Sequence, residues 1–353
     1  MTEPAVAEPA VLAPLPTRPI PGWALLLLVV LNTVTTVGLV GDIQRHVQNQ
    51  SLTGKDFLSS WHLVLYGGVL GVGIWLGLVA YWLGPPVLRG EARFAMIGFL
   101  GLSVGGACDA AWHSAFGAER AVEALVSPPH LLVFAALSML LVSPLAALWR
   151  RPGSRLGVVD SACAAISVVS ALLVASLFTG YLSPLTGGMD LGNGYVDAPI
   201  GTSISDFDVV RGLGVVLWTT VLVIVPWSLV LQRFRLRPGF ALAGGAILGL
   251  PPVIVINWYA GEPVFFGFVA LGFVIEVAGL VGGKTAPGPW ARGAIGVVAP
   301  AALWGTLLLV QKLHHLLVWS PALWGGAIML SAVWGGAAAT VATRSRAHEP
   351  PAT

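Results

Sequence analysis

The chain has 353 residues, 56% of them hydrophobic and only 10% charged, with a mean hydropathy of +0.84 and a formal net charge of +2. A soluble domain carries about 25% charged residues, so the composition excludes one and points to a polytopic membrane protein. The small net charge excludes nucleic acid as a partner. Two cysteines, Cys108 and Cys163, both within apolar runs, exclude a disulfide framework and a cysteine-type zinc site.

Residues 1–21 are rich in Pro and Ala and lack the basic start and small-residue cleavage site of a signal peptide. They are expected to form a disordered tail. Apolar runs then recur at 22–41, 59–83, 94–112, 129–149, 158–182, 208–231, 239–257, 264–283, 293–313 and 319–341. Each is near the ~20 residues that cross the hydrocarbon core as a helix, and the short alternating segments of a barrel are missing. The expected fold is all-α, a helical bundle of about ten transmembrane helices filling 22–343, with a short tail at 344–353. The stretch 239–283 is Gly-rich and interrupted by Pro251-Pro252. The longest connection, 183–207, holds Asp190, Asp197 and Asp206 and no Lys or Arg; it reads as a lid or a plain loop.

Basic residues follow every even-numbered span: Arg89 and Arg93, then Arg150, Arg151 and Arg155, then Arg233, Arg235 and Arg237, then Lys284 and Arg292, then Arg344 and Arg346. Basic loops favour the cytoplasmic side, so both termini are expected in the cytoplasm of a multi-pass protein of the plasma or inner membrane. That topology puts six of the seven histidines, His46, His62, His113, His130, His314 and His315, at the opposite, outer face.

Four of those histidines belong to a pattern that occurs twice. Asp42-x-x-x-His46 is followed by Ser59-x-x-His62, and Asp109-x-x-x-His113 by Ser127-x-x-His130. Asp and His at i and i+4 share one helix face, and the next helix returns with a His at the same depth. The segments 22–83 and 94–149 therefore read as duplicated metal-binding hairpins, with Asp42, His46 and His62 in one and Asp109, His113 and His130 in the other. The bland alternatives are interfacial hydrogen bonding by histidines, helix capping by the aspartates, and a simple pair between Arg45 and Asp42. Ser127 is the expected N-cap ahead of Pro128-Pro129, which suit a helix start and would fix the direction of His130. Cys108, about 100° around the helix from Asp109, reads as a small packing residue. Glu262 is placed in the outer turn after the seventh span, as a further ligand or a solvated charge. Glu276, inside the eighth, needs a partner. His314-His315 reads as a packing or loop element. A two-histidine, one-carboxylate set suits non-haem iron, zinc or copper.

Asp109-Ala110-Ala111-Trp112-His113 followed by Ser127-Pro128-Pro129-His130 resembles the metal motif in the third subunit of the copper membrane monooxygenases, the particulate methane and ammonia monooxygenase family. That subunit carries two such motifs, one with Asn in place of Asp. The resemblance is confined to this motif. It implies copper held by Asp109, His113 and His130, a second copper site at Asp42, His46 and His62, a small apolar substrate, and partner subunits or a homo-oligomer within the lipid bilayer. Rival readings are a copper or zinc transporter, for which inward polar residues are sparse (Ser138, Ser143, Asp160 and Glu276), a haem protein using His62 with His130, and an assembly subunit.

Overall fold

Hydrocarbon offers the backbone no hydrogen-bond partners, so each crossing segment must satisfy its own N–H and C=O groups, which a helix does. The apolar runs accordingly form helices in the computed structural model, which describes residues 18–48, 60–117, 126–180, 183–184, 203–255, 258–281, 289–317 and 319–344. They are α1 (Gly22–Gln48), α2 (Ser60–Leu83), a 3-10 turn (Pro85–Leu88), α3 (Arg93–Phe116), α4 (Pro128–Trp149), α5 (Val158–Phe178), α6 (Ser203–Arg233), α7 (Phe240–Val255), α8 (Trp258–Val281), α9 (Pro289–Leu313) and α10 (Pro321–Arg344). No strand occurs among the described residues. Residues 1–17 of the expected tail at 1–21, most of the long connection, and residues 345–353 lie outside them, while Ile20 within that tail is buried.

Nine of these helices are long and apolar enough to cross a membrane, which makes the chain a polytopic helical membrane protein. The seventh expected span, 239–257, is shorter. α7 has 16 residues, a length of ~24 Å at ~1.5 Å per residue against a hydrocarbon core of ~30 Å. Pro251 and Pro252 do not interrupt it; they sit inside α7, and α8 begins at Trp258. Close packing explains the tolerance, since neighbouring helices compensate for helix-breaking residues in a membrane. A Cβ on Gly245 of α7 would strike the Phe268 carbonyl of α8 and come within 2.9 Å of Gly272 Cα.

The helices pack as two groups of five. In the first, α1 contacts α2, α4 and α5, and α2 to α5 follow one another; in the second, α6 contacts α9 and α10, and α7 to α10 follow one another. α5 joins the groups through α6 and α7. Trp227, Trp304, Phe234 and Phe268 are fully buried between helices, while Leu70, Ile74, Met329 and Val333 face outward, as lipid-facing positions would. Of the neighbour contacts, α3–α4 sets the site. A Cβ on Gly98 would lie 2.7 Å from the Leu140 amide nitrogen, so only glycine lets the two backbones approach this closely.

One end of the bundle is basic and braced. The Arg151 guanidinium lies 3.5 Å from Asp160 and 3.8 Å from Glu91, and it donates to the Ile20 carbonyl. Glu91 in turn accepts the Ile20 N–H at 2.9 Å. Arg233 donates to the Gly153 carbonyl at 2.8 Å. Glu276 finds its partners here too: its carboxylate accepts the Gly239, Ala241 and Leu242 amides at the start of α7, at 2.8, 3.1 and 3.4 Å. Those amides have no intrahelical partner, and a carboxylate at a helix N-terminus is favoured by the helix dipole. His62, His113, His130 and His314 lie toward the opposite end.

Candidate metal centre

α3 presents Asp109 and His113 one turn apart near its end, and α4 opens with Pro128, Pro129 and His130. The antiparallel return brings His130 to the same carboxylate. Asp109 Oδ1 lies 3.4 Å from His113 Nε2 and 3.2 Å from His130 Nε2. The ligand atoms of the three residues all fall within 4.8 Å of one another, and no other group of three does so among the described residues. The two imidazoles lie with ring centroids 5.8 Å apart. All three residues are half-buried.

The outer nitrogens of both rings are committed. His113 Nδ1 lies 3.1 Å from the Gly117 carbonyl oxygen. A carbonyl only accepts, so Nδ1 donates there, and Nε2 is the ring atom turned toward Asp109. Gly117 can serve because its φ is +83°, a conformation that side chains disfavour, and its own N–H closes on the His113 carbonyl at 3.0 Å. His130 Nδ1 lies 2.8 Å from Ser127 Oγ. Ser127 does hold the N-cap position of α4, but its hydroxyl makes no cap hydrogen bond; it orients His130 directly. Asp109 Oδ1 accepts no hydrogen bond and has no solvent access. The Nε2 atoms of His113 and His130 both turn to this oxygen. A buried acceptor without a partner costs about 1–3 kcal/mol, and a cation shared by the three groups removes that cost. Two imidazolium rings side by side would repel, so a single divalent ion fits the donor set better than two added protons.

The first copy of the motif is built differently. α1 runs on to Gln48, so Asp42 lies on the helix rather than beyond it, and it is buried. Asp42 Oδ2 lies 3.3 Å from His62 Nε2. The His46 side chain, like that of Arg45, falls outside the described residues, so the structure brings together two of the three expected groups. A Cβ on Gly41 would strike the Trp61 ring, which packs against α1 beside the pair. Tyr66 stacks on His62 at 5.6 Å and lies in the field of both Asp109 and Asp42.

Elsewhere the structure corrects or completes the sequence reading. Glu262 is not in a turn but inside α8, where its Oε2 lies 3.6 Å from His314 Nε2 in the turn that ends α9. His315 follows with a φ of 59°. Cys108 is exposed on the bundle surface, so it is not a packing residue. Gly117, Tyr66, Tyr259 and Gln311 went unrecognised in the sequence. Gly117 alone left a signal, a glycine four residues after a helix-ending histidine.

No family model, curated protein or solved structure matches this chain. Fold and site together define a polytopic helical membrane protein with, among the described residues, one convergent Asp–His–His group that could hold a metal ion.

Proposed function

We propose that the chain is a membrane metalloprotein in which Asp109, His113 and His130 hold a divalent transition-metal ion at the extracytoplasmic face. The observation that carries this is the convergence of three ligand atoms: Asp109 Oδ1 lies 3.4 Å from His113 Nε2 and 3.2 Å from His130 Nε2, and the ligand atoms all fall within 4.8 Å of one another. Metal-bound histidines characteristically donate their other N–H to a carbonyl, carboxylate or water. Copper is the favoured metal, by the motif's resemblance to the third subunit of the copper membrane monooxygenases; iron and zinc suit the same ligands. A bound copper would supply dioxygen activation toward a small apolar substrate arriving through the bilayer. The protein's own part is to fix three ligands on rigid helices, leave coordination positions open, and limit water around them. The basic end faces the cytoplasm, with both termini, by the distribution of arginine.

The experiment is metal analysis of the purified protein beside Asp109→Ala, His113→Ala and His130→Ala. About one equivalent of copper in wild type and little in each variant is expected; wild type without stoichiometric copper, iron or zinc overturns the proposal.

A transporter is the second reading, and one observation favours it. Buried polar residues are more numerous than the sequence suggested, with Asn32, Thr35 and Thr36 in α1 and Ser167, Ser170 and Ser176 in the adjoining α5. Asn32 Oδ1, Ser167 Oγ and Ser176 Oγ have no hydrogen-bond partner. Uptake of 64Cu into proteoliposomes that is lost in His113→Ala would establish this reading in place of the oxygenase.

A further inference from the structure

A third carboxylate–imidazole pair sits at the histidine end, in the second group of helices. Glu262 reaches from α8, and His314 from the turn closing α9. We propose that Glu262 and His314 form a separate, exchangeable site for a divalent transition-metal ion, with Gln311 as the residue that orients His314.

Three observations support it. First, Glu262 Oε2 and His314 Nε2 are 3.6 Å apart. That exceeds the ~3.2 Å limit of an ordinary N–H···O bond. It matches two ligands of one ion, since bonds of about 2.0–2.2 Å at a tetrahedral angle put ligand atoms ~3.4 Å apart. Second, His314 Nδ1 and Gln311 Oε1 are both buried and both without a hydrogen-bond partner. Gln311 itself is only 8% exposed. Buried polar atoms without partners are rare and call for an explanation. Gln311 and His314 are three residues apart at the end of α9, one turn along the same face. With a cation on Nε2, Nδ1 must carry the proton, and the unpaired amide oxygen of Gln311, one turn back along the helix, would turn to accept it. In the first centre the Gly117 carbonyl fills that role for His113, at 3.1 Å. Third, the imidazole is held in place. Tyr259 packs its ring on His314 at 4.9 Å, and its hydroxyl donates to the His314 carbonyl at 3.1 Å. His315, at φ 59°, donates its N–H to the Lys312 carbonyl and turns the chain at the helix end.

Among the described residues two protein ligands converge, and both side chains keep about a fifth of their surface exposed, at 20% for Glu262 and 22% for His314. Water would fill the other positions. The site is therefore weaker and faster to exchange than the three-ligand centre. Imidazole with carboxylate suits Cu2+ and Zn2+.

The test is titration of the full chain in detergent with Cu2+, read by electron paramagnetic resonance and competition with a graded chelator. Wild type should show a tight class and a weaker class of bound copper. Glu262→Gln and His314→Ala should each weaken the second class by at least about 100-fold and leave the first unchanged. Gln311→Leu should weaken it by about 10-fold, the effect expected of an orienting partner. Asp109→Ala should remove the tight class and spare the weaker one, so failure of the first centre and failure of this one are read separately. A weaker class that is absent from wild type, or that persists in both Glu262→Gln and His314→Ala, overturns the proposal. Should His314→Ala not elute as a folded species, Glu262→Gln carries the same comparison.

Discussion

The two ends of this bundle both hold carboxylates and use them in opposite ways. At the basic end each of them meets a donor. Glu91 has the Ile20 amide and Arg151, Asp160 has Arg151, and Glu276 has three amides of α7. At the other end the carboxylates of Asp109 and Glu262 meet imidazole nitrogens at 3.2–3.6 Å without a hydrogen bond to show for it. On the proposed reading, what separates a structural polar cluster from a metal-binding one is the balance of donors and acceptors around its carboxylates, not the charge count. Burial of acceptors facing acceptors is costly unless a cation joins them.

Substitutions at one end should therefore change metal content, and at the other, stability. The largest expected effect is that of Asp109→Ala, which removes the shared oxygen. Metal affinity should fall by more than about 100-fold, beyond the 10–100-fold typical of orienting partners, with little change in the unfolding temperature, as equilibrium dialysis and thermal unfolding in detergent would show. Arg151→Ala should do the reverse. It leaves Glu91 and Asp160 without their cation and should lower stability by about 2 kcal/mol, with metal content unchanged. If Arg151→Ala also empties the metal centre, the separation of the two ends fails.

Smaller effects sharpen the account of the centre itself. Gly117→Ala forces a side chain into a positive-φ conformation, at about 1–2 kcal/mol, and displaces the carbonyl that fixes the His113 tautomer. Affinity should drop about 10–100-fold. Ser127→Ala removes the partner of His130 Nδ1 and should cost about 10-fold at the low end of the same range, while α4 still starts at its two prolines. The smallest effect concerns protons. A histidine binds metal through a deprotonated ring nitrogen, so metal affinity should fall as the solution is acidified. Equilibrium dialysis at successively lower pH checks this; binding that does not weaken on acidification would remove imidazole from the ligand set.

Much of the fold was legible in the letters because lipid imposes so few solutions. Runs of about 20 apolar residues become helices, and arginines after every second run mark one end. The boundary between α7 and α8 was not legible. Pro251-Pro252 reads as a break in a single chain, and only the packing of Gly245 against Phe268 and Gly272 shows why a helix survives there. The candidate centre was legible in part. The i, i+4 spacing of Asp109 and His113 and the prolines before His130 both act locally, so they could be read from sequence. The pairing of Asp42 with His62 was expected together with His46, whose side chain lies outside the described residues.

By itself, the sequence determined that this chain crosses a membrane many times, and its run order assigned six of the seven histidines to one end. Helix length, hydrophobicity and i, i+4 spacing are properties of a segment and its neighbours along the chain. The tertiary structure decided which acceptors are left facing one another. The convergence of His113 and His130 on one Asp109 oxygen, and of His314 on Glu262, depends on helix ends meeting in space. Hydrogen-bond balance at a site is set by side chains from separate helices, and spacing in the sequence does not encode it.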